Sequence, residues 1–322
     1  MKNNLILIEG IPGTGKSTLS QFLAIQLEKN IIKSKWFHEA QENHFIEDDR
    51  LDPLFKGDTD FINEDLSIDE FIDKILELWN NIVEEIQKTD EVVIVDSKLN
   101  FINTILIYND ASEKDIMNFW DKFETMTEKV KPLFIHLYID DVKKHLVNAW
   151  TSRSQWAFEH AISYAENVPY ISRLKIKKKD VLTLEQETKQ NFMKKIYKIS
   201  KFDKMSFEVS EKSYYSYENK ILEYLGLNRI EYKHSLADLR SYEGFYENSN
   251  ENLQLVSKEN VLLCDWGYKN LILDYIGEDV FILKSYPVYF KFYRDKNGFV
   301  EKIETYGEQV FGRADCKFTK IK

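Results

Sequence analysis

Apolar and polar positions alternate along the chain in two successive styles. Leu5 to Ile8 is an unbroken apolar run of the length of one buried strand, and Leu19, Leu23 and Leu27, with Phe22, then recur at helical spacing over Lys16 to Lys29. Ile31 to Phe37 reads as a second strand. Ser67-Ile-Asp-Glu70 is a capping box that opens a helix to about Lys88. Glu91 to Val95 is a strand ending at Asp96, and Ser112 opens a helix to Lys131 that Pro132 stops. Leu133 to Ile139 follows as a strand, then helical segments over Asp140 to about Thr151 and Ser154 to Glu166. A helix over Thr183 to Ser200 with a Thr-x-x-Gln box, a strand over Met205 to Val209 and a helix from Ser213 to Leu225, closed by Gly226, complete this half. Strands that are apolar throughout, alternating with helices, predict an α/β fold with a doubly wound, mostly parallel sheet covered on both faces.

After about Asn228 the period changes from helical to alternating. Leu253–Val256, Val261–Cys264, Leu271–Ile276, Val280–Leu283, Val288–Tyr293 and Phe299–Tyr306 are short β-rich runs, and Asn297-Gly298 is a hairpin signal between the last two. The expected organisation is a domain over residues 1–228 and an all-β domain over 238–322, a small barrel or sandwich. Between His38 and Leu66 the chain is polar and acidic, a length of loop that in a compact domain is usually functional or mobile.

Composition narrows the class. The chain has 322 residues, 43% hydrophobic and 14% aromatic, enough to bury two cores, and no apolar run approaches a bilayer span. The stretch Leu5 to Ile8 is too short for a signal peptide and runs into Glu9. Cys264 and Cys316 build no disulfide framework, which excludes a disulfide-linked partner and fits a reducing cytoplasm. A net charge of -10 argues against non-specific nucleic-acid binding. Histidine spacing suggests no metal site, although His38 and His44 flank Glu39 closely enough to meet a substrate.

Only 11 glycines occur, yet Gly10, Gly13 and Gly15 fall together, in Gly10-Ile-Pro-Gly-Thr-Gly-Lys-Ser17. This matches G-x-x-x-x-G-K-[ST] without a departure, after an apolar strand and before a helix. Glycine lets successive N–H groups turn toward a phosphate, and the helix N-terminus adds positive charge. Gly10, Gly13, Thr14, Gly15, Lys16, Ser17 and Thr18 are therefore the expected nucleotide-binding residues. Lys16 is expected on the β- and γ-phosphates and the Ser17 hydroxyl on Mg²⁺.

Glu9-Gly-Ile-Pro-Gly-Thr-Gly-Lys-Ser-Thr18 and the layout downstream resemble the P-loop nucleoside and nucleotide kinases, the thymidylate-kinase-like and deoxynucleoside-kinase-like enzymes, over about residues 1–228. That resemblance implies an ATP-dependent kinase with Mg²⁺ and a small-molecule phosphoryl acceptor: a nucleoside, a nucleotide or another hydroxyl compound such as an antibiotic. It makes Glu39, after Trp36-Phe-His, the candidate base or substrate anchor. Asp96, at the end of Val92-Val-Ile-Val, becomes a candidate Mg²⁺ carboxylate or base. Ser97-Lys-Leu-Asn100-Phe101 stands where those kinases open a substrate-contacting helix, but with Ser97 and Lys98 in place of an arginine, which leaves the substrate class open. Arg153 in Arg153-Ser-Gln-Trp156 is the preferred lid arginine for the transferring phosphate, with Arg173 second, near the lysine run 175–179. Trp36, Phe37 and Phe45 suit either a stacking platform or the core.

A GTPase switch would carry an Asn-Lys-x-Asp motif and a motor ATPase an acidic pair after the Asp96 strand; neither stands here. The alternative that stays open is a nucleotide-binding regulatory NTPase whose β domain holds the partner or ligand. Residues 238–322 resemble the small lipocalin-like barrels appended to some serine hydrolases, whose mouth suits a small ligand, but an appendage that stabilises the chain or joins it in a homodimer fits better.

Overall fold

The computed structural model describes residues 2–42, 44–46, 62, 65–151, 159, 162–163, 166, 171, 180–211, 213–231, 239–310 and 312–321. Its first half runs β1 (Leu5–Glu9), α1 (Lys16–Lys29), β2 (Ser34–Phe37), α2 (Ile68–Thr89), β3 (Val92–Asp96), α3 (Lys98–Tyr108), α4 (Glu113–Thr127), β4 (Pro132–Tyr138), α5 (Val142–Thr151), α6 (Val181–Ile199), β5 (Asp203–Glu208) and α7 (Tyr214–Leu225). The five strands pair in parallel in the order β2-β3-β1-β4-β5. β1 and β3 are buried at every position, as the continuous apolar runs predict, because helices cover both faces. On one face α2, α3, α4 and α6 pack a core around Phe71, Trp79, Leu106 and Trp120; on the other α1, α5 and α7 pack around Leu23, Leu146 and Ile221. This is a P-loop NTPase-like fold.

Local signals and observed ends agree where a side chain fixes the end. Ser67 and Glu70 form the reciprocal capping box that starts α2, and Ser112 with Asp115 starts α4 the same way. Gly226 closes α7 with φ 69°. The chain departs from expectation in four places. β2 begins at Ser34, after Ile31 turns away with φ 60°. Pro132 opens β4, where its missing N–H is harmless at a first strand position, and it does not stop the helix before it, which ends at Thr127 and gives way to a 3-10 turn over Glu128–Val130 and to Lys131 at φ 49°. Thr183-x-x-Gln186 forms no box, because α6 starts at Val181 from Asp180 and Thr183 already lies inside its first turn. α3 shows no amphipathic stripe because almost all of it is buried, so periodicity could not mark it.

The second half is a closed eight-stranded antiparallel barrel, β6 (Gly244–Glu247), β7 (Asn252–Lys258), β8 (Val261–Trp266), β9 (Tyr268–Gly277), β10 (Val280–Leu283), β11 (Val288–Arg294), β12 (Val300–Gly307) and β13 (Lys317–Lys320). Closure decides between barrel and sandwich: β13 returns to pair with β6, and β10 pairs with both β9 and β11. Asn297-Gly298 makes the expected turn between β11 and β12, with Gly298 at φ 87°. The interior is full. Tyr242 meets Phe281 and Phe292 at 4.9 and 4.8 Å between ring centroids, and Trp266 meets Phe318 at 5.4 Å.

The barrel touches the sheet domain through two of its loops. The β10–β11 turn sits on α1, and the β12–β13 connection sits on the segment after β2, where Glu42 N donates to Gln309 O at 2.8 Å. Among the described residues no helix is long and apolar enough to cross a membrane, and both cysteines are free.

Candidate functional site

The site forms where the C-terminal ends of β1 and β3 lie side by side. Parallel pairing sets Ile8 against Asp96, so the phosphate-loop glycines leave the sheet beside the carboxylate that ends β3. The loop itself could carry little else than glycine at two positions. A Cβ on Gly10 would lie 2.4 Å from the Leu137 carbonyl oxygen, and Gly15 takes φ 90° as the residue that caps α1. The first turn of α1 holds no acidic residue and no side chain caps it, which leaves its N–H groups facing the loop's concavity. Lys16 is buried and its Nζ lies 3.3 Å from the Ile11 carbonyl, folded back across the loop. From α5, His145 Nε2 pairs with the Pro12 carbonyl at 2.9 Å and fixes the far side. The residues present suit a triphosphate: a glycine cradle, a lysine reaching over it, and a hydroxyl at Ser17 where a phosphate-bound Mg²⁺ would sit.

Asp96 is fully buried, and both oxygens are engaged. Oδ2 accepts the Trp36 indole N–H at 3.1 Å and Oδ1 accepts the Glu39 backbone N–H at 3.0 Å. Burial first, and then the Glu39 charge, push its carboxyl up from the ordinary range, against Lys16. Trp36 and Phe37 therefore belong to the core, and Trp36 doubles as a donor that orients Asp96.

Glu39 has the opposite setting. It keeps contact with solvent at the mouth of a cleft whose walls otherwise surround it. The surrounding protein works against its charge, but Lys16, the Ser97 hydroxyl, His38 and Lys98 together hold its carboxyl below the ordinary range. Its backbone is pinned twice, by Asp96 at the N–H and by Lys98 Nζ, which donates to the Glu39 carbonyl at 3.0 Å. Lys98 is nearly fully buried and also lies 5.1 Å from the centre of the Phe101 ring. His38 and His44 are buried beside this segment. Burial, above all, lowers both imidazoles, His38 to about 4.

Between Asp96 and α3 the chain passes through Ser97 at φ 64°, a left-handed backbone on a residue with a side chain. That turn points the α3 N-terminus back at β1. Glu9 caps it from there: Oε1 accepts Leu99 N at 3.0 Å and Oε2 accepts Asn100 N at 3.1 Å. Burial pushes the Glu9 carboxyl up to about 8 against the pull of those two N–H groups.

A cavity of about 310 Å³ opens from Pro12 and Lys16 along this face of α3, lined by Glu39, Lys98, Asn100, Phe101, Thr104 and Tyr108 and closed by Glu185 and Lys189 of α6. Phe101, Thr104 and Tyr108 share one face by their spacing of three and four. Tyr108 donates to Glu185 Oε1, and Lys189 Nζ meets the same carboxylate at 2.7 Å. Of the expected site residues, the structure brings together the phosphate loop, Glu39, Asp96 and Lys98. Arg153, Arg173 and the lysine run 175–179 lie outside the described residues. Tyr108, Thr104, Glu185 and Lys189 were not legible as site residues. In sequence, Glu185 and Lys189 look like an ordinary exposed i, i+4 pair, and only the packing of α6 over α3 buries them. Among the described residues no group of three or more His, Cys, Asp or Glu is placed to hold a metal by itself.

No protein-family model matches this sequence, and no curated protein does. Among solved structures it is similar to the signal recognition particle receptor FtsY from Elizabethkingia anophelis in complex with GDP, with 16% identity and a TM-score of 0.25 over 48% of this chain and 47% of that one. This chain therefore spans about half the length of that receptor. It is also similar to PAB0955, a GTPase in apo form from Pyrococcus abyssi, with 11% identity and a TM-score of 0.25 over 68% of this chain and 98% of that one.

Proposed function

We propose that this protein is an ATP-dependent phosphotransferase that moves the γ-phosphoryl group to a hydroxyl of a small acceptor held in the α3 cavity. One observation carries the reading: an ionised carboxylate, Glu39, lies at the mouth of a cavity of about 310 Å³ that begins at Lys16 of the phosphate loop. A hydrolase needs room for a water beside its γ-phosphate; a cavity of this size admits an organic acceptor.

The phosphate loop and Lys16 would bind the triphosphate, with the Ser17 hydroxyl holding Mg²⁺ and Asp96, enclosed as it is, reaching that ion only through water. Bound Mg²⁺ would supply neutralisation of charge on the β- and γ-phosphates. The acceptor oxygen would form its bond to γ-phosphorus in line as the bond to the β–γ bridging oxygen breaks, and its proton would pass to Glu39. Because the Glu39 carboxyl is held below its ordinary range, its main work is to orient the hydroxyl, and it takes the proton late. Lys98 takes the place beside the acid where the resembling kinases use arginine, which leaves the class of acceptor open. Arg153 remains the proposed lid arginine. Residues 1–228 would form this catalytic unit and 238–322 the barrel.

The second reading, a nucleotide-binding regulatory NTPase, draws on one observation, the seating of a barrel turn on α1. The deciding experiment incubates the protein with Mg·ATP and a panel of nucleosides, nucleotides and aminoglycoside-like alcohols and follows ADP release. A signal that requires an acceptor supports the kinase. Release at full speed without one, or none with any acceptor, favours the regulatory NTPase.

A further inference from the structure

We infer that the β10–β11 turn of the barrel is part of the phosphate-transfer site: Ser285 and Tyr286 position the segment that carries Glu39 and brace the first turns of α1. This rests on the reading of Glu39 given above, and assigns to the barrel a role that a filled interior leaves it free to play.

Gln21 faces the barrel from α1 and is 5% exposed. Its amide nitrogen donates to the carbonyls of Leu283 and Tyr286 at 2.9 and 3.0 Å, and its oxygen accepts Ser285 N at 3.0 Å. A glutamine that commits its donors and its acceptor to three residues of one turn fixes that turn's position against the helix. Three residues earlier, next to Ser17, the Thr18 hydroxyl shares a hydrogen bond of 2.8 Å with the Ser285 hydroxyl. Ser285 makes these contacts at φ 66°, a left-handed conformation disfavoured for a residue with a Cβ and held here by its partners on α1.

The same turn reaches the acidic segment. The Tyr286 ring lies 5.0 Å from the buried His38 imidazole, tilted by 41°. His38 Nδ1 accepts the Ala40 N–H at 3.0 Å, a bond that spans Glu39. The imidazole therefore joins the barrel turn to both neighbours of Glu39, while Asp96 holds the Glu39 N–H from the sheet side. A second barrel loop repeats the attachment just beyond. Gln41 Nε2 donates to Glu308 Oε2 at 2.8 Å, and Gly312 N donates to Glu42 Oε1 at 3.0 Å. The two loops are themselves joined, Glu308 N donating to Pro287 O at 3.0 Å, so they act on the segment as one rigid edge. A displacement of this edge moves Glu39 relative to Lys16, and errors of about 1 Å in a reacting group cost large factors in rate.

The test uses the full chain with Tyr286→Ala and Tyr286→Phe. Three quantities are read: kcat for acceptor-dependent transfer, the Kd for Mg·ATP, and the His38 imidazole C–H signal in ¹H–¹³C NMR, assigned by its loss in His38→Gln. Tyr286→Ala should lower kcat by about tenfold or more with Mg·ATP affinity kept within about twofold. It should also move the His38 signal, and Tyr286→Phe should restore both. An unchanged kcat, an unmoved His38 signal, or parallel losses of kcat and nucleotide affinity that phenylalanine does not rescue would each overturn the proposal. If the wild-type protein transfers to no acceptor, the kinase reading fails. The positioning inference then stands or falls on the His38 signal alone.

Discussion

The backbone N–H of Glu39 donates to the Asp96 carboxylate at 3.0 Å, so the loop after β2 and the end of β3 are one hydrogen-bonded unit. Two acidic residues that look interchangeable in sequence are thereby separated into an enclosed acceptor and a carboxylate at the mouth of a cavity.

Substitution should separate them too. Glu39→Gln is expected to lower kcat by about 10²-fold or more with Mg·ATP affinity kept and the thermal midpoint little moved, because its carboxylate lies at the cavity mouth. Asp96→Asn sets an amide N–H₂ against the Trp36 or Glu39 donor, so it should lower the thermal midpoint as well as kcat. Calorimetric unfolding beside single-turnover kinetics distinguishes the two patterns.

Lys16→Ala removes the charge that folds back over the phosphate loop. Phosphoryl transfer should fall by about 10²-fold or more. Lys16 donates to the Ile11 carbonyl and also favours the charged form of the Glu39 carboxyl, so the unfolding midpoint should fall as well.

Glu9 joins β1 to α3, and its contribution is to stability. Both its oxygens accept backbone N–H groups in a fully buried setting. Glu9→Gln turns one acceptor into a donor facing a donor, and should destabilise the fold by about 1–3 kcal/mol. Urea unfolding measures the difference.

Tyr108 closes the cavity floor through Glu185. Tyr108→Phe keeps the ring and removes the hydroxyl, so KM for the acceptor should change by about tenfold while Mg·ATP affinity stays put. Equal effects on both would place the acceptor elsewhere.

Stability should peak near pH 6.5. His38 and His136 are pushed by burial from 6.5 to about 4, so below pH 6.5 the unfolded chain binds protons there that the folded chain does not, and stability is lost as the pH falls toward 4. Glu9 works in the other direction. Its carboxyl, raised from 4.5 to about 8, keeps a proton in the fold that the unfolded chain releases, so its contribution is lost as pH rises from 4.5 through 8. Melting temperatures across both ranges should trace a dome, and His136→Gln should flatten its acid side by about one proton of slope.

How far the sequence alone determined this protein follows from how local each signal is. The phosphate loop, the capping serines at Ser67 and Ser112, the Gly226 stop and the Asn297-Gly298 turn are all contained within a few neighbouring residues, and each could be read directly. Glu39 and Asp96 were visible as acids at strand ends for the same reason. What they do relative to one another depends on the order β2-β3-β1, which sets their strands side by side across almost sixty residues of chain. α3 left no stripe to read because almost all of its residues are buried. Glu185, Gln21 and Ser285 carry ordinary polar sequence, and become site residues only once α6 closes over α3 and a barrel turn lies on α1. Local chemistry is written in spacing; burial and long-range partnership are properties of the assembled chain, and they turned two equivalent carboxylates into an anchor and a candidate catalyst.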